Sequence, residues 1–294
     1  MKVLVTGGTG FVGHQVVRSI ADQGHDLKLL VRDSTRSRDL PGRPVVGEMT
    51  NKASLRTAAE DVDAVVHLVA IRQGRAEEFE RVMEQGTRDL IAAAKEGGVG
   101  RFVLMSALGT SEATRDLVPY YHAKWEMEQA VKASGLEHVI FRPSFVFGRN
   151  GGILPTFRKL AKLTPVTPII GSGEQKIQPI WIDDVAAYFA AAVDRVEAAN
   201  RTFELGGPEV VSWNEFWQRL RAAVGIRRRP TLHVPVGLMR LNARVTERLP
   251  GDIPLTRDLL TMLEHGDNVV SNDDAVQAFQ LPLAPLDEQL RRAS

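Results

Sequence analysis

A chain of 294 residues, 44% of them hydrophobic and 25% charged, has the profile of an ordinary globular protein long enough to bury a sizeable core. Its formal net charge of +1 provides no global field to gather nucleic acid or an anionic membrane. With no cysteine, the sequence excludes disulfides, thiolate catalysis and cysteine-bound metals, and it fits a cytoplasmic location without demanding one.

The N-terminus, Met1-Lys2-Val3-Leu4-Val5-Thr6, runs directly into a glycine loop and lacks the apolar stretch of a secretory signal. Short β-rich runs follow at Val3–Val5, Leu27–Val31, Val45–Val46, Ala64–Leu68, Phe102–Met105 and Val139–Phe141, and all read as buried parallel strands. Helical patterns lie between them at Val12–Asp22, Ser54–Ala59, Phe79–Glu96 and Tyr120–Ser134; Gly97-Gly98 and Gly135 supply helix stops. This alternation predicts a Rossmann-type α/β fold, a doubly wound parallel sheet with right-handed crossovers, over residues 1–150.

The rhythm breaks at Arg149-Asn150-Gly151-Gly152. A helix at Leu154–Leu163, a proline-interrupted segment from Pro165 to Pro168 and a turn at Gly171-Ser172-Gly173 come next. The chain is expected to return to the sheet at Ile180–Ile182, with a helix at Asp184–Val193 behind it, so that residues of about 176–200 complete the sheet. Residues 151–175 and 200–294, with helices at Trp213–Val224, Val236–Arg248 and Leu255–Glu264, read as a smaller C-terminal α/β lobe for a substrate or a partner. No apolar run approaches the roughly 20 residues of a membrane-spanning helix; Ala186 to Val193 is the best of them. A soluble chain without a transmembrane segment is the expectation.

Thr6-Gly7-Gly8-Thr9-Gly10-Phe11-Val12-Gly13 stands after a strand and opens a helix, which is the position of a dinucleotide fingerprint. Of the three spaced glycines, Gly7, Gly10 and Gly13, one allows a tight turn, one lets backbone approach a pyrophosphate, and one lets helix and strand pack closely. Free N–H groups at the positive end of the helix then hold the phosphates. At the end of the second strand, where an NAD site usually carries a carboxylate for the ribose 2′-hydroxyl, stands Arg32, followed by Arg36 and Arg38. A guanidinium suits a 2′-phosphate, so NADP(H) is preferred, with NAD(H) and a ribose contact from Asp33 as the alternative.

Taken with VRDSTR (31–36), VVHLVA (65–70), EQGTRDLIAAAKEGGVGRFVLMSA (84–107), YYHAKWEMEQAV (120–131), IFRPSFVFG (140–148) and IQPIWIDDVA (177–186), the glycine loop TGGTGFVG (6–13) gives a specific pattern. From Thr6 to about Asp184 the chain resembles short-chain dehydrogenases/reductases of the extended or atypical kind. It is most similar to the group related to the 39-kDa accessory subunit of respiratory complex I. The resemblance implies that Thr9, Gly10, Phe11 and Val12 line the pyrophosphate and that Arg32 meets the adenosine ribose phosphate. It also implies that Glu48 and Met49 lie beside adenine, that Leu68, Val69 and Ala70 pass under the nicotinamide-side ribose, and that Pro143 and Ser144 cover the nicotinamide. Asp184 would belong to a structural turn and cap a helix.

Tyr120 and Lys124 stand one helical turn apart and so share a face. A phenol with a pKa near 10 is a poor acid–base group at neutral pH, and a nearby ammonium lowers that value. In the superfamily resembled here this pair transfers the proton while hydride moves at the nicotinamide, and a serine or threonine after the fifth strand orients the substrate oxygen. Ser106 is the candidate for that last role, although Ala107-Leu108 follows it where extended members carry further hydroxyls. Two readings result: an NADP(H)-dependent oxidoreductase or epimerase-like enzyme acting on a carbonyl or secondary alcohol of unknown identity, and a subunit that holds NADP(H) without turnover, peripherally associated with a respiratory or other membrane complex.

Other features read as structural. The histidines at 14, 25, 67, 122, 138, 233 and 265 have no metal-ligand spacing, so no metal is expected; His122 alone lies near the proposed centre. Arg227-Arg228-Arg229 reads as a solvated loop with no nucleic-acid role, Trp213 and Trp217 read as core, and the apolar segment Ile153–Ile170 lines either a hydrophobic cleft or a lobe interface.

Overall fold

The computed structural model describes residues 1–71, 73–226, 229–246 and 256–293. In chain order the elements are β1 (Lys2–Thr6), α1 (Phe11–Asp22), β2 (Asp26–Val31), β3 (Arg43–Val46), α2 (Lys52–Ala59), β4 (Ala64–His67), α3 (Ala76–Phe79), a π-helical turn (Glu80–Gln85), α4 (Gly86–Glu96), β5 (Arg101–Met105), α5 (Pro119–Lys132) and β6 (Glu137–Pro143). They continue with β7 (Val146–Phe147), α6 (Leu154–Leu163), β8 (Thr167–Ile170), β9 (Lys176–Ile177), β10 (Ile180–Trp181), α7 (Ile182–Ala191), β11 (Arg201–Leu205), β12 (Val211–Ser212), α8 (Trp213–Ala223), β13 (Thr231–Val234), α9 (Val236–Thr246), α10 (Arg257–Glu264), α11 (Asp273–Phe279) and α12 (Leu286–Ala293).

Two compact units result. The first comprises Met1–Pro143, Ile182–Leu205 and Ser271–Pro282; the second comprises Ser144–Trp181, Gly206–Val270 and Leu283–Ser294.

The first unit is built on a seven-stranded parallel sheet of order β11-β6-β5-β4-β1-β2-β3. The chain winds outward from β1 to β3, then crosses back and winds through β4, β5 and β6 to β11. The doubly wound parallel sheet read from the sequence is therefore present, with its switch point between β1 and β4. Both faces are covered, which is why the strands read as apolar runs and not as alternations. Leu4, Leu30, Val65, Phe102, Leu104 and Ile140 on one face pack with Leu55 of α2, Leu90 of α4 and Met127 of α5. Alternate residues such as Val5 and Phe141 are equally buried on the other face. There α1 packs along α7, and the Phe141 ring meets Phe189 at 4.8 Å, Phe279 at 5.7 Å and Phe203 at 5.9 Å.

That aromatic cluster explains a correction. Ile180–Ile182 does not rejoin the main sheet: Ile180 and Trp181 pair with Val146 and Phe147, and Ile182 begins α7. The seventh strand lies beyond the 176–200 segment expected to complete the sheet, at Arg201–Leu205, paired in parallel with Val139–Pro143. Its inward residues Phe203 and Leu205 are each 1% exposed, and burying them against Phe141 decides which strand takes the β6 edge. Asp184 does not cap a helix either: it lies with Asp183 in the first turn of α7, where a carboxylate still faces the favourable end of the helix dipole. The helix expected at Phe79–Glu96 begins at Ala76 and passes through the π-helical turn.

Among its described residues the second unit holds three two-stranded pairings, β7 with β10, β9 with β12 and β8 with β13, the last in parallel register from Thr167↔Thr231 to Ile170↔Val234. Strands this short carry too little periodicity to be read from sequence. α8 starts at Ser212, whose hydroxyl accepts from Glu215 N at 3.1 Å. The expected helix Val236–Arg248 is helical to Thr246, with its end outside the described residues; Leu255–Glu264 is observed as Arg257–Glu264, with Leu255 also outside them.

Candidate functional site

The glycine loop joins β1 to α1 at the carboxyl edge of the sheet, beside the switch point. Gly7 adopts φ +78°, a left-handed conformation that glycine enters without steric cost. A Cβ there would stand 2.9 Å from Leu68 C and Val69 N, so the loop lies directly on the backbone that follows β4. At Gly13 a Cβ would stand 2.1 Å from Gly7 O and 2.8 Å from Gly8 Cα. Only glycine lets α1 sit this close to the turn. The helix is preceded by Gly10, which offers no capping side chain, and its first turn contains no acidic residue. These features fit a diphosphate: close backbone approach, N–H groups at a positive helix end, and no carboxylate to repel the ligand.

Around this loop the structure gathers several of the sequence candidates. Thr9, Phe11 and Val12 are half-buried and Gly10 is exposed. Arg32 is exposed directly after β2, whose Leu30 pairs with Thr6 of β1. Asp33 caps the short helical turn Ser34–Ser37, accepting from Thr35 N at 2.9 Å and from Thr35 Oγ1 at 2.8 Å. Those bonds hold its carboxyl below the usual range and use one acceptor site on each oxygen. Partial burial pushes the His14 pKa down, and the charges of Arg18 and Arg36 add to it. Arginines therefore surround this corner. Glu48 is exposed, whereas Met49 is 5% exposed and packs against Gly86 in the core. Leu68 is buried, Val69 half-buried and Ala70 exposed. Pro143 and Ser144 are neighbours in sequence, but Pro143 ends β6 of the first unit, and Ser144 belongs to the second, where its hydroxyl donates to Gln178 O at 2.5 Å.

α5 carries the second group. Pro119 at its first turn presets the helical φ, and Tyr120, Lys124 and Glu128 then recur at four-residue spacing on one face. Lys124 is not a solvated lysine. It is 1% exposed, its Nζ donates to Met105 O at 2.6 Å, and the same atom lies 5.8 Å from the Tyr120 ring centre. Burial brings its pKa down to about 7, against a smaller upward pull from Glu128. The Glu128 side chain is fully enclosed and accepts from Arg142 Nε at 2.8 Å and Nη2 at 2.7 Å, and from Lys132 Nζ at 3.2 Å. Burial favours protonating it, but Arg142, Ser106 and Lys132 together outweigh burial and leave its pKa lowered.

Ser106, 1% exposed, lies beside this network and helps to lower the Glu128 pKa, and its Oγ donates to Thr110 Oγ1 at 3.4 Å. Beneath lies His67, fully buried, with Nδ1 2.6 Å from Thr6 Oγ1 and Nε2 3.0 Å from Thr87 Oγ1. Burial, with help from the Lys124 charge, drives its pKa down to about 3, so it stays neutral. His122 is exposed and faces Asp116. Among the described residues no cluster of metal ligands exists.

The second unit contains an apolar cavity of about 330 Å³ walled by Phe145, Phe157, Trp213, Trp217, Met239 and Leu260. The expected apolar segment Ile153–Ile170 contributes much of the lining. Among the described residues no helix is long and apolar enough to cross a membrane.

Comparison with known proteins agrees with this geometry. An NAD(P)H-binding family matches residues 7–194. The mitochondrial NADH dehydrogenase [ubiquinone] 1 alpha subcomplex subunit 9 of Arabidopsis thaliana is 31% identical over 222 residues, covering 72% of this chain and 55% of that protein; the chain thus matches just over half of that relative's length. The 2-alkyl-3-oxoalkanoate reductase of Stenotrophomonas maltophilia is 27% identical over 325 residues, covering 99% of this chain and 98% of the enzyme. Among solved structures, the Bordetella bronchiseptica enzyme WbmH, in complex with NAD+, superposes with a TM-score of 0.76 at 20% identity, covering 99% of this chain and 96% of the other. The glycine cradle, the doubly wound sheet and the family match over residues 7–194 together establish that the chain belongs to the NAD(P)H-binding, short-chain dehydrogenase/reductase-like family.

Proposed function

We propose that this protein is an NADP(H)-dependent reductase acting on a carbonyl or secondary alcohol, with Tyr120 as the proton-transferring group. The observation that carries the proposal is Lys124: a lysine 1% exposed, anchored on the Met105 carbonyl and held beside the Tyr120 ring, is placed for electrostatic work and not for solubility. The glycine loop would hold the dinucleotide, whose chemistry when bound would be hydride donation to a carbonyl carbon. Tyr120 gives the phenolic proton to the carbonyl oxygen as that oxygen gains charge. When protonated, Lys124 favours the phenolate left behind, which regains its proton from solvent. Ser106, buried directly after β5, supports this centre as a positioning residue.

Preference for NADP(H) is supported by Arg32 standing exposed while Asp33 is committed to Thr35. An alkyl-chain carbonyl substrate is supported by the name of the Stenotrophomonas relative. The test is NADPH oxidation across a panel of 3-oxoalkanoates and long-chain ketones. We expect turnover with at least one of them and a loss of 100-fold or more in kcat for Tyr120→Phe, with NADPH affinity retained.

A second reading, a subunit that holds the dinucleotide without turnover in a larger assembly, is favoured by one observation: Ser106 is 1% exposed and Ala107 beside it carries no hydroxyl. The Arabidopsis relative's name supports it. NADPH binding with no oxidation across the panel would select this reading.

A further inference from the structure

We propose that the apolar cavity of the second unit is a separate binding site, one that takes a neutral, flat aromatic molecule of about two fused rings carrying one hydroxyl group. The cavity lies within that unit, and none of its described lining residues belongs to the glycine loop or to the Tyr120 centre. One part of its wall is built from rings. Trp213 and Trp217 stand one turn apart on α8 and so share a face. Phe157 of α6 meets them at 5.6 and 5.3 Å between ring centres, and Phe145 meets Trp213 at 5.8 Å. Steeply inclined ring pairs at these distances attract one another, so this wall is braced before any ligand arrives. The rest of the lining is largely aliphatic, with Ile169 of β8, Val234 of β13, Val236 and Met239 of α9, and Leu260 and Leu263 of α10.

A ligand can reach these side chains. Trp213, Phe157, Met239 and Leu263 are only half-buried, whereas Phe216, which packs against the same rings, is fully enclosed. Apolar surface that lines a concave space and still meets water gains by exchanging that water for an apolar occupant. The cavity, at about 330 Å³, is about twice the roughly 150 Å³ of an apolar cavity that takes benzene, which is room for about two rings. A flat ring system suits fixed ring walls better than an alkyl chain, which would lose rotational freedom on lying against them. The polar groups on the lining are few. Gln175 is anchored through Nε2 to Leu263 O at 2.9 Å, and Ser172 Oγ accepts from Glu174 N at 3.3 Å. An amide held by its nitrogen keeps its oxygen as an acceptor, and a hydroxyl that accepts keeps its proton to donate. Together they match a ligand hydroxyl. Glu264, the charged residue among the described lining, is paired with Arg240 and does not call for a cation.

The test uses the full chain saturated with NADPH and titrates 2-naphthol by calorimetry. Naphthalene and 1-decanol, an alkyl alcohol with as many non-hydrogen atoms as 2-naphthol, are titrated separately. We expect 2-naphthol to bind at one site, at least tenfold more tightly than 1-decanol. Val236→Trp, which fills the cavity from a half-buried position, should weaken 2-naphthol tenfold or more with NADPH affinity unchanged. Gln175→Leu should reduce the advantage of 2-naphthol over naphthalene several-fold. Should Val236→Trp fail to fold, as judged by circular dichroism, Met239→Trp carries the same test. Absence of 2-naphthol binding, equal or tighter binding of 1-decanol, or an affinity unchanged in the tryptophan variants would each overturn the assignment. An advantage over naphthalene that persists in full in Gln175→Leu would overturn the hydroxyl contact.

Discussion

Arg32 and Asp33 are adjacent, yet the structure gives them different work. Asp33 uses an acceptor site on each carboxylate oxygen for Thr35, whereas Arg32 stands exposed at the end of β2 next to the glycine loop. Arg32→Asp is therefore expected to weaken NADPH binding about tenfold or more and to strengthen NADH binding, read by nucleotide fluorescence titration. An unchanged ratio of the two affinities would remove the charge argument. At this scale the sequence was partly legible. The four-residue step from Tyr120 to Lys124 was visible, but the burial of Lys124 was not, because nothing local shows that its ammonium reaches Met105 O nineteen residues earlier. Ser106 could be named as a hydroxyl after the fifth strand; its burial depends on how the elements around that strand pack.

The element that organises the site is α5. Its face of Tyr120, Lys124 and Glu128 is tied to β6 through the paired bonds from Arg142 to Glu128. Removing Arg142 leaves a fully enclosed carboxylate without its main counter-charge, a loss that typically costs about 3–5 kcal/mol. Arg142→Met should lower the stability measured by urea unfolding by about that amount; a change below about 1 kcal/mol would mean that Lys132 and Ser106 suffice. This pair was missed in the sequence. Extending the Tyr120–Lys124 stripe by one more turn reaches Glu128, so half of the signal was present, but the partner on another element has no spacing rule.

Across the whole molecule, two buried titratable groups couple stability to pH in the same direction. His67 takes its proton at about 3 when folded and near 6.5 when unfolded, so between these values the unfolded chain binds more protons and stability falls as pH drops. Lys124, at about 7 when folded and 10.5 when unfolded, likewise makes stability rise with pH between 7 and 10.5. Denaturation profiles between pH 6 and 4 should show the parent protein losing about 1.4 kcal/mol per pH unit more than His67→Gln, the amount for one proton. Equal slopes would mean that His67 can protonate in the folded state.

The doubly wound sheet and the glycine loop were determined by sequence alone. Apolar strand runs, their alternation with helices, and the local demands of Gly7, Gly10 and Gly13 depend on residues close together in the chain. Tertiary structure decided the rest. Arg201–Leu205 takes the outer edge of β6 because Phe203 can bury against Phe141, sixty-two residues away, while Ile180 and Trp181 pair with Val146 and Phe147. The ion pair under the site likewise exists only once distant segments meet. Local propensity and spacing describe what a segment can form; burial and pairing between segments far apart in the chain choose which partner it takes.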